Sequence, residues 1–223
     1  MFPESDGLDG ASALIYIIMC GGKYAYWKTP KQLIEINGER LVDRTIRLLK
    51  ENGCKEIYIS SNDPVFDSCG VPRLEHENGF AVDGDEITGY WLDAFYPTDQ
   101  ETTYIFGDVY FSEDAIKTIV NYPAEKNTLF GSKLAKNKQH QNWGEPFAYI
   151  VKDMQVFRHG INAVKHMWDI GVLDRHPIVW ELYRYLNRLD MNVQQVLDST
   201  FVVIDDETID FDDPSCAERF GVT

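Results

Sequence analysis

A chain of 223 residues, 44% of them hydrophobic, is long enough to bury a sizeable core as one large α/β domain or two small ones, which excludes wholesale disorder. Its 21 Lys and Arg against 36 Asp and Glu give a formal net charge of −15, which argues against the clustered basic surface that nucleic acid or an anionic membrane requires. Cys20, Cys54, Cys69 and Cys216 show no C-x-x-C spacing, so neither a zinc site nor a disulfide framework is indicated and a reducing cytoplasm is the expected compartment.

Residues 1–12, with Glu4, Asp6 and Asp9, read as an acidic, flexible N-terminus. The apolar run at 13–20 lacks a basic flank and a small-residue cleavage site, so it is not a signal peptide, and it is too short to span a bilayer. Partly β-branched and aromatic, it reads as a strand buried on both faces. Gly21 and Gly22 follow at once; their uncovered amides suit either a phosphate cradle or a plain strand-to-loop turn. Lys23, Lys28 and Lys31 add positive charge.

Residues 40–51 carry Leu41, Ile46, Leu48 and Leu49 at near-helical spacing and stop at Asn52-Gly53. A strand at 55–61, ended by Asn62-Asp63-Pro64, completes a βαβ unit and so implies a parallel sheet, with ligands beyond the carboxyl ends of its strands. A short edge strand is expected at 71–77, a loop at 78–89 and a helix at 87–96. Within the loop, Asp83-Gly84-Asp85 fits an ordinary turn better than a metal site. Residues 102–106 form a second buried strand that delivers Gly107-Asp108, and the helix at 112–120 has Ser112 as its natural cap, which leaves Asp108 free.

Strands at 128–133 and 145–151 are separated by a polar segment at 134–144, whose Lys136, Lys138 and His140 suit an exposed, mobile loop and whose Trp143 is either a binding wall or a lid over the core. Two helices are expected within 160–190, and His159, His166 and His176, without a paired ligand spacing, read as structural. The last strand, 200–205, runs into an acidic tail at 206–214.

Three stretches carry a resemblance: Ile18-Met19-Cys20-Gly21-Gly22, Thr29-Pro30-Lys31-Gln32-Leu33 and Ile36-Asn37-Gly38-Glu39-Arg40-Leu41. They resemble the opening of the GT-A-fold nucleotidyltransferases, of the MobA-like and the sugar-phosphate or cytidylyltransferase type, which read Leu-Ala-Gly-Gly-x-Gly-x-Arg and then Pro-Lys-x-Leu. Tyr24 and Tyr26 stand where the third glycine and the arginine would be; Lys23 or Lys28 could replace that arginine. Gly107-Asp108 at a strand end and the tail around Asp210 and Asp212 are similar to the family's two later motifs.

The resemblance implies a single Rossmann-like α/β domain over 1–223, with a mostly parallel central sheet flanked by helices and a small mixed-sheet extension. It implies transfer of a nucleoside monophosphate from an NTP to a phosphorylated small-molecule acceptor, with Mg²⁺ and release of pyrophosphate. Met19, Cys20, Gly21, Gly22, Lys23, Lys31 and Gly107 would bind the nucleotide, Lys31 and Lys23 would be catalytic, and Asp108, Asp212 and Asp210 would hold the metal. Lys133 and Glu145 would meet the acceptor, with Lys136, Lys138 and His140 as further candidates to grip its phosphate, and a homodimer is the assembly to look for. A glycosyltransferase on this fold would need Asp-x-Asp where the chain has Asp108-Val109-Tyr110, which counts against it. A non-catalytic nucleotide or sugar-phosphate sensor is the other reading, since a missing arginine is what lost activity would leave.

Overall fold

The computed structural model describes residues 14–24, 27, 29–132, 144–193, 195–211, 216 and 220. Residues 1–12, Tyr26, Lys28, Lys133, Lys136, Lys138, His140, Trp143 and Asp212, all singled out above, lie outside the described residues, as does the side chain of Tyr24. In chain order the main elements are β1 (Ile15–Met19), α1 (Leu41–Glu51), β2 (Glu56–Ser61), β3 (Arg73–Glu75), β4 (Thr102–Phe106), α2 (Glu113–Asn121), β5 (Thr128–Gly131), β6 (Pro146–Val151), α3 (Met154–Asp169), α4 (Val179–Leu186) and β7 (Phe201–Val203).

The seven strands form one sheet in the order β7-β5-β6-β4-β1-β2-β3. β6 runs antiparallel to both neighbours, and every other pairing is parallel. The sequence pattern explains why β1 and β4 sit at the centre: each is buried at all five positions, as a strand covered on both faces must be. Ile17, Ile18 and Ile105 are fully inaccessible, and burying each such side chain contributes about 2 kcal/mol. In α1 the buried set Leu41, Val42, Thr45, Ile46, Leu48 and Leu49 makes one stripe against the sheet, and the helix ends at Asn52-Gly53 as its sequence signals.

Corrections fall in two places. Residues 87–96 are not a helix, nor are 78–89 a plain loop. Glu86–Thr88 instead pairs antiparallel with Ala81–Asp83, and only Trp91–Ala94 makes a single tight 3₁₀ turn. Gly89 (φ +67) stands between them, and a Cβ there would lie 2.5 Å from the Gly79 carbonyl oxygen, so the chain crosses itself where a helix would have no such neighbour. The second correction is to α3, which starts at Met154, earlier than expected, because the Asp153 carboxylate accepts a hydrogen bond from Val156 N and caps it.

Two small ribbons complete the architecture that concerns the site. Lys23–Tyr24 adds in parallel to the 81–88 hairpin, and Val109–Tyr110 pairs antiparallel with Ile209–Asp210 of the tail. Among the described residues no helix is long and apolar enough to cross a membrane.

Candidate active site

The chain moves outward from β1 through β2 to β3, then returns to place β4 on the other flank of β1. That reversal opens a crevice at the carboxyl ends of β1 and β4, the usual ligand position in such sheets. Gly107 N donates to the Met19 carbonyl at 3.1 Å across this junction. A Cβ on Gly107 would lie 2.5 Å from that same carbonyl oxygen and 2.8 Å from Cys20 Sγ, so no larger residue lets the two strand ends approach this closely.

On the β1 side, Cys20 N donates to the Ser60 carbonyl, and the chain turns through Gly21 and Gly22 before Lys23 N bonds to the Phe80 carbonyl at 3.0 Å. Gly21 packs against the carboxamide of Asn78. The Cys20 thiol is held well above its ordinary pKa, by burial first and then by the nearby charge of Asp108. It is therefore a packing group here and not a nucleophile.

Pro30, extended at φ −51 and ψ 130, leads into the single turn Lys31–Leu33 and turns Lys31 inward. Lys31 is only 4% exposed, and its Nζ lies 2.6 Å from Asp108 Oδ2. An ammonium so buried requires a partner of opposite charge, and Asp108, 22% exposed, supplies one while keeping contact with solvent. The sequence pattern that named these two residues separately is thus joined by one ion pair.

Asp108 is fixed from the other side by the tail ribbon. Phe211 N donates to the Asp108 carbonyl at 3.0 Å, and Asp210 pairs with Val109, so Asp210 sits on the backbone next to Asp108. Asp210 N in turn reaches Glu145 Oε2 at 3.5 Å. Glu145 is buried at the entrance to β6, where its amide donates to Ser132 Oγ and its carbonyl accepts from Ser132 N. Ser112 accepts from Ala115 N and so caps α2 as expected, which leaves the Asp108 carboxylate to Lys31.

A cavity of about 380 Å³ opens beside the pair, lined by Gly22, Lys23, Trp27, Lys31, Gln32 and Ser61. A smaller space continues on the Asp108 side, between Gly21, Asn78, Phe80 and Trp91. Met19, Cys20, Gly21, Gly22, Lys31 and Asp108 therefore line the two spaces, Gly107 ties the strand ends together, Lys23 stands exposed at the rim, and Asp210, with Glu145 bonded to its amide, lies on the ribbon next to Asp108. Gln32, Asn78, Phe80 and Trp91 were missed as site residues. Gln32 lay inside a quoted stretch, and the alternation Ala81-Val82-Asp83 and Glu86-Ile87-Thr88 about Gly84-Asp85 was a hairpin signal that would have brought Asn78 and Phe80 alongside. No three His, Cys, Asp or Glu side chains come together as a metal cluster among the described residues.

Comparison with solved structures finds the same fold throughout. A candidate glucose-1-phosphate thymidylyltransferase from Bacillus anthracis, in complex with sucrose, is 15% identical, with a TM-score of 0.57, covering 93% of this chain and 94% of that one. CTP:phosphocholine cytidylyltransferase from Streptococcus pneumoniae is 12% identical with a TM-score of 0.56, covering 93% and 97%. The inositol-1-phosphate CTP transferase of T. maritima is 12% identical with a TM-score of 0.55, covering 96% of each. No curated protein sequence matches the chain. Residues 16–83, which supply β1, the glycine turn, Lys31 and the 81–83 wall of the cavity, match the MobA-like NTP transferase domain, and the α/β fold is that of the sugar-phosphate and cytidylyltransferase-type nucleotidyltransferases.

Proposed function

We propose that the protein transfers a nucleoside monophosphate from an NTP to a phosphorylated small-molecule acceptor and releases pyrophosphate. The observation that carries this reading is the buried Lys31–Asp108 pair at the crevice between β1 and β4, next to a cavity large enough for a nucleotide. The reaction needs no protein nucleophile. An acceptor phosphate oxygen attacks the α-phosphorus, the bond to the β,γ-diphosphate breaks, and the residues position the groups and offset charge.

In this reading the amides of the glycine turn, Gly21 and Gly22, take the triphosphate and Lys31 stabilises charge that builds at the α-phosphate. Lys23 at the rim takes over part of the role of the arginine that the chain lacks. Asp108 and Asp210 would hold a divalent cation: both offer hard carboxylate oxygens from adjacent backbone positions, and Asp108 already holds one cation, the Lys31 ammonium. Such an ion would neutralise the phosphates and orient the leaving group. Glu145, tied to Asp210, would set the acceptor side.

The test is a panel of the four NTPs with phosphorylated sugars, alcohols and choline, scored by pyrophosphate release with and without Mg²⁺ or Mn²⁺. Turnover of at least one pair, lost in Lys31→Ala and Asp108→Asn proteins that remain folded, is expected. Tight NTP binding with no turnover across the panel would instead favour a nucleotide sensor.

A further inference from the structure

A second cavity, about 340 Å³, shares a wall with the cleft. The shared element is the tight turn Trp91–Ala94. Trp91 and Ala94 line the space beside Asp108, whereas Leu92 and Asp93 line the second cavity. Beneath it lies a buried aromatic layer: the Phe95 ring packs against Tyr104 and Phe157 at 5.0 Å each, and reaches Trp91 at 5.7 Å, while Tyr96 and Ile161 give the cavity its accessible apolar surface. An occupant here would press on the residues that shape the cleft.

The polar side of this cavity is built around Arg158. Its Nη2 donates to the Thr98 carbonyl and to Asp99 Oδ1 at 3.0 Å, and the Asp99 side chain is 96% exposed. Arg158 Nε is buried and has no hydrogen-bond partner among the described residues. The unpaired Nε costs free energy, the Arg158 side chain as a whole is 42% exposed and so open to a ligand, and the planar fork of arginine matches a carboxylate. Of the acids nearby, Asp93 is neutralised by Lys165 at 2.6 Å, and Glu77 is exposed at the rim. His76 bonds through Nε2 to the Asp93 carbonyl, with its ring edge-on to Tyr96.

We infer that this cavity binds a small aromatic carboxylate, its ring against Tyr96 and Ile161 and its carboxylate on Arg158 in place of Asp99. The site is separate from the nucleotide cleft, and its test does not depend on turnover. Titration calorimetry uses benzoate, 4-hydroxybenzoate and indole-3-carboxylate as probes, with the matching amides as neutral controls. At least one acid binds saturably with a Kd at or below about 1 mM, and its amide binds about tenfold more weakly or worse. Arg158→Met weakens the acid by about tenfold or more, whereas Asp99→Ala, which removes the competing carboxylate, tightens it. Ile161→Trp fills the space and abolishes binding, and the bound acid shifts an indole emission that Trp91→Phe removes. No saturable binding of any acid, equal binding of acid and amide, or binding that survives both Arg158→Met and Ile161→Trp overturns the inference. The response to Asp99→Ala keeps the test decisive should Arg158→Met fold poorly, since unchanged or weaker binding there also overturns it.

Discussion

Asp108→Asn should destabilise the protein more than Lys31→Met, although the two substitutions break the same ion pair. Asparagine leaves the Lys31 ammonium 4% exposed, without its counter-charge; methionine leaves a carboxylate that is 22% exposed and can recruit water. Removing one partner of a fully buried pair costs about 3–5 kcal/mol, chiefly through the charge left behind. Solvent access to Asp108, and the carbonyl oxygen that asparagine still offers, reduce this to about 2 kcal/mol for Asp108→Asn. Lys31→Met, which strands no buried charge, should cost about 1 kcal/mol or less. For a chain of this size the difference corresponds to a Tm fall of about 4–8 °C against about 2–4 °C. Urea denaturation in chelator-treated buffer, followed by tryptophan fluorescence, measures both, and the double variant should recover most of the Asp108→Asn loss because no charge is then stranded. A Lys31→Met protein less stable than Asp108→Asn, or a double variant that simply adds the two losses, would refute the argument from burial.

Lys31→Ala should lower turnover by about a hundredfold or more with little change in nucleotide affinity, whereas Lys23→Ala at the exposed rim should mainly raise the KM for NTP, as steady-state kinetics on the two proteins will show. Gly107→Ala should cost about 1–3 kcal/mol of unfolding free energy by urea denaturation and abolish activity together, because its methyl group would meet the Met19 carbonyl at 2.5 Å; a stable, active Gly107→Ala protein would contradict the packing described. Asp210→Ala should raise the metal concentration needed for half-maximal pyrophosphate release and leave the urea midpoint within about 1 kcal/mol of wild type, since its backbone pairing survives the substitution. Cys20, its pKa raised by burial and by Asp108, should resist alkylation by iodoacetamide at pH 8.5 in the folded protein and react freely in urea, which mass spectrometry of the labelled peptide can follow.

What the sequence made legible depended on where the information lies. β1 and β4 were readable because burial on both faces leaves a run of apolar, β-branched and aromatic residues with nothing to confuse it. Lys31 and Asp108 were readable as separate candidates, one behind a proline and one at a strand end, but their mutual ion pair depends on a fold that brings residues 31 and 108 together. The 87–96 segment misled because Leu92, Phe95 and Tyr96 have helical spacing, while its conformation is decided by partners distant in sequence: Ala81–Asp83 on one side and the Gly79 backbone against Gly89 on the other. For the same reason Asn78 and Trp91 gave no signal of their own, since a loop side chain acquires a role only from the wall it happens to face.

The ribbon between Val109–Tyr110 and Ile209–Asp210 has a consequence for biosynthesis. Ser112 and Thr208, which bond beside it, are separated by 96 positions, with β5, β6, β7 and the three helices α2, α3 and α4 in the interval. During translation β1, β2 and β4 can associate as soon as they leave the ribosome, and the Lys31–Asp108 pair with them. Asp210 is added about a hundred residues after Asp108, so on the order of 5–20 s later at the usual elongation rate of about 5–20 residues per second. A nascent chain can therefore join β1, β2 and β4 around the crevice before Asp210 exists, so a ribosome stalled before codon 209 would carry the Lys31–Asp108 pair without the ribbon that packs beside it.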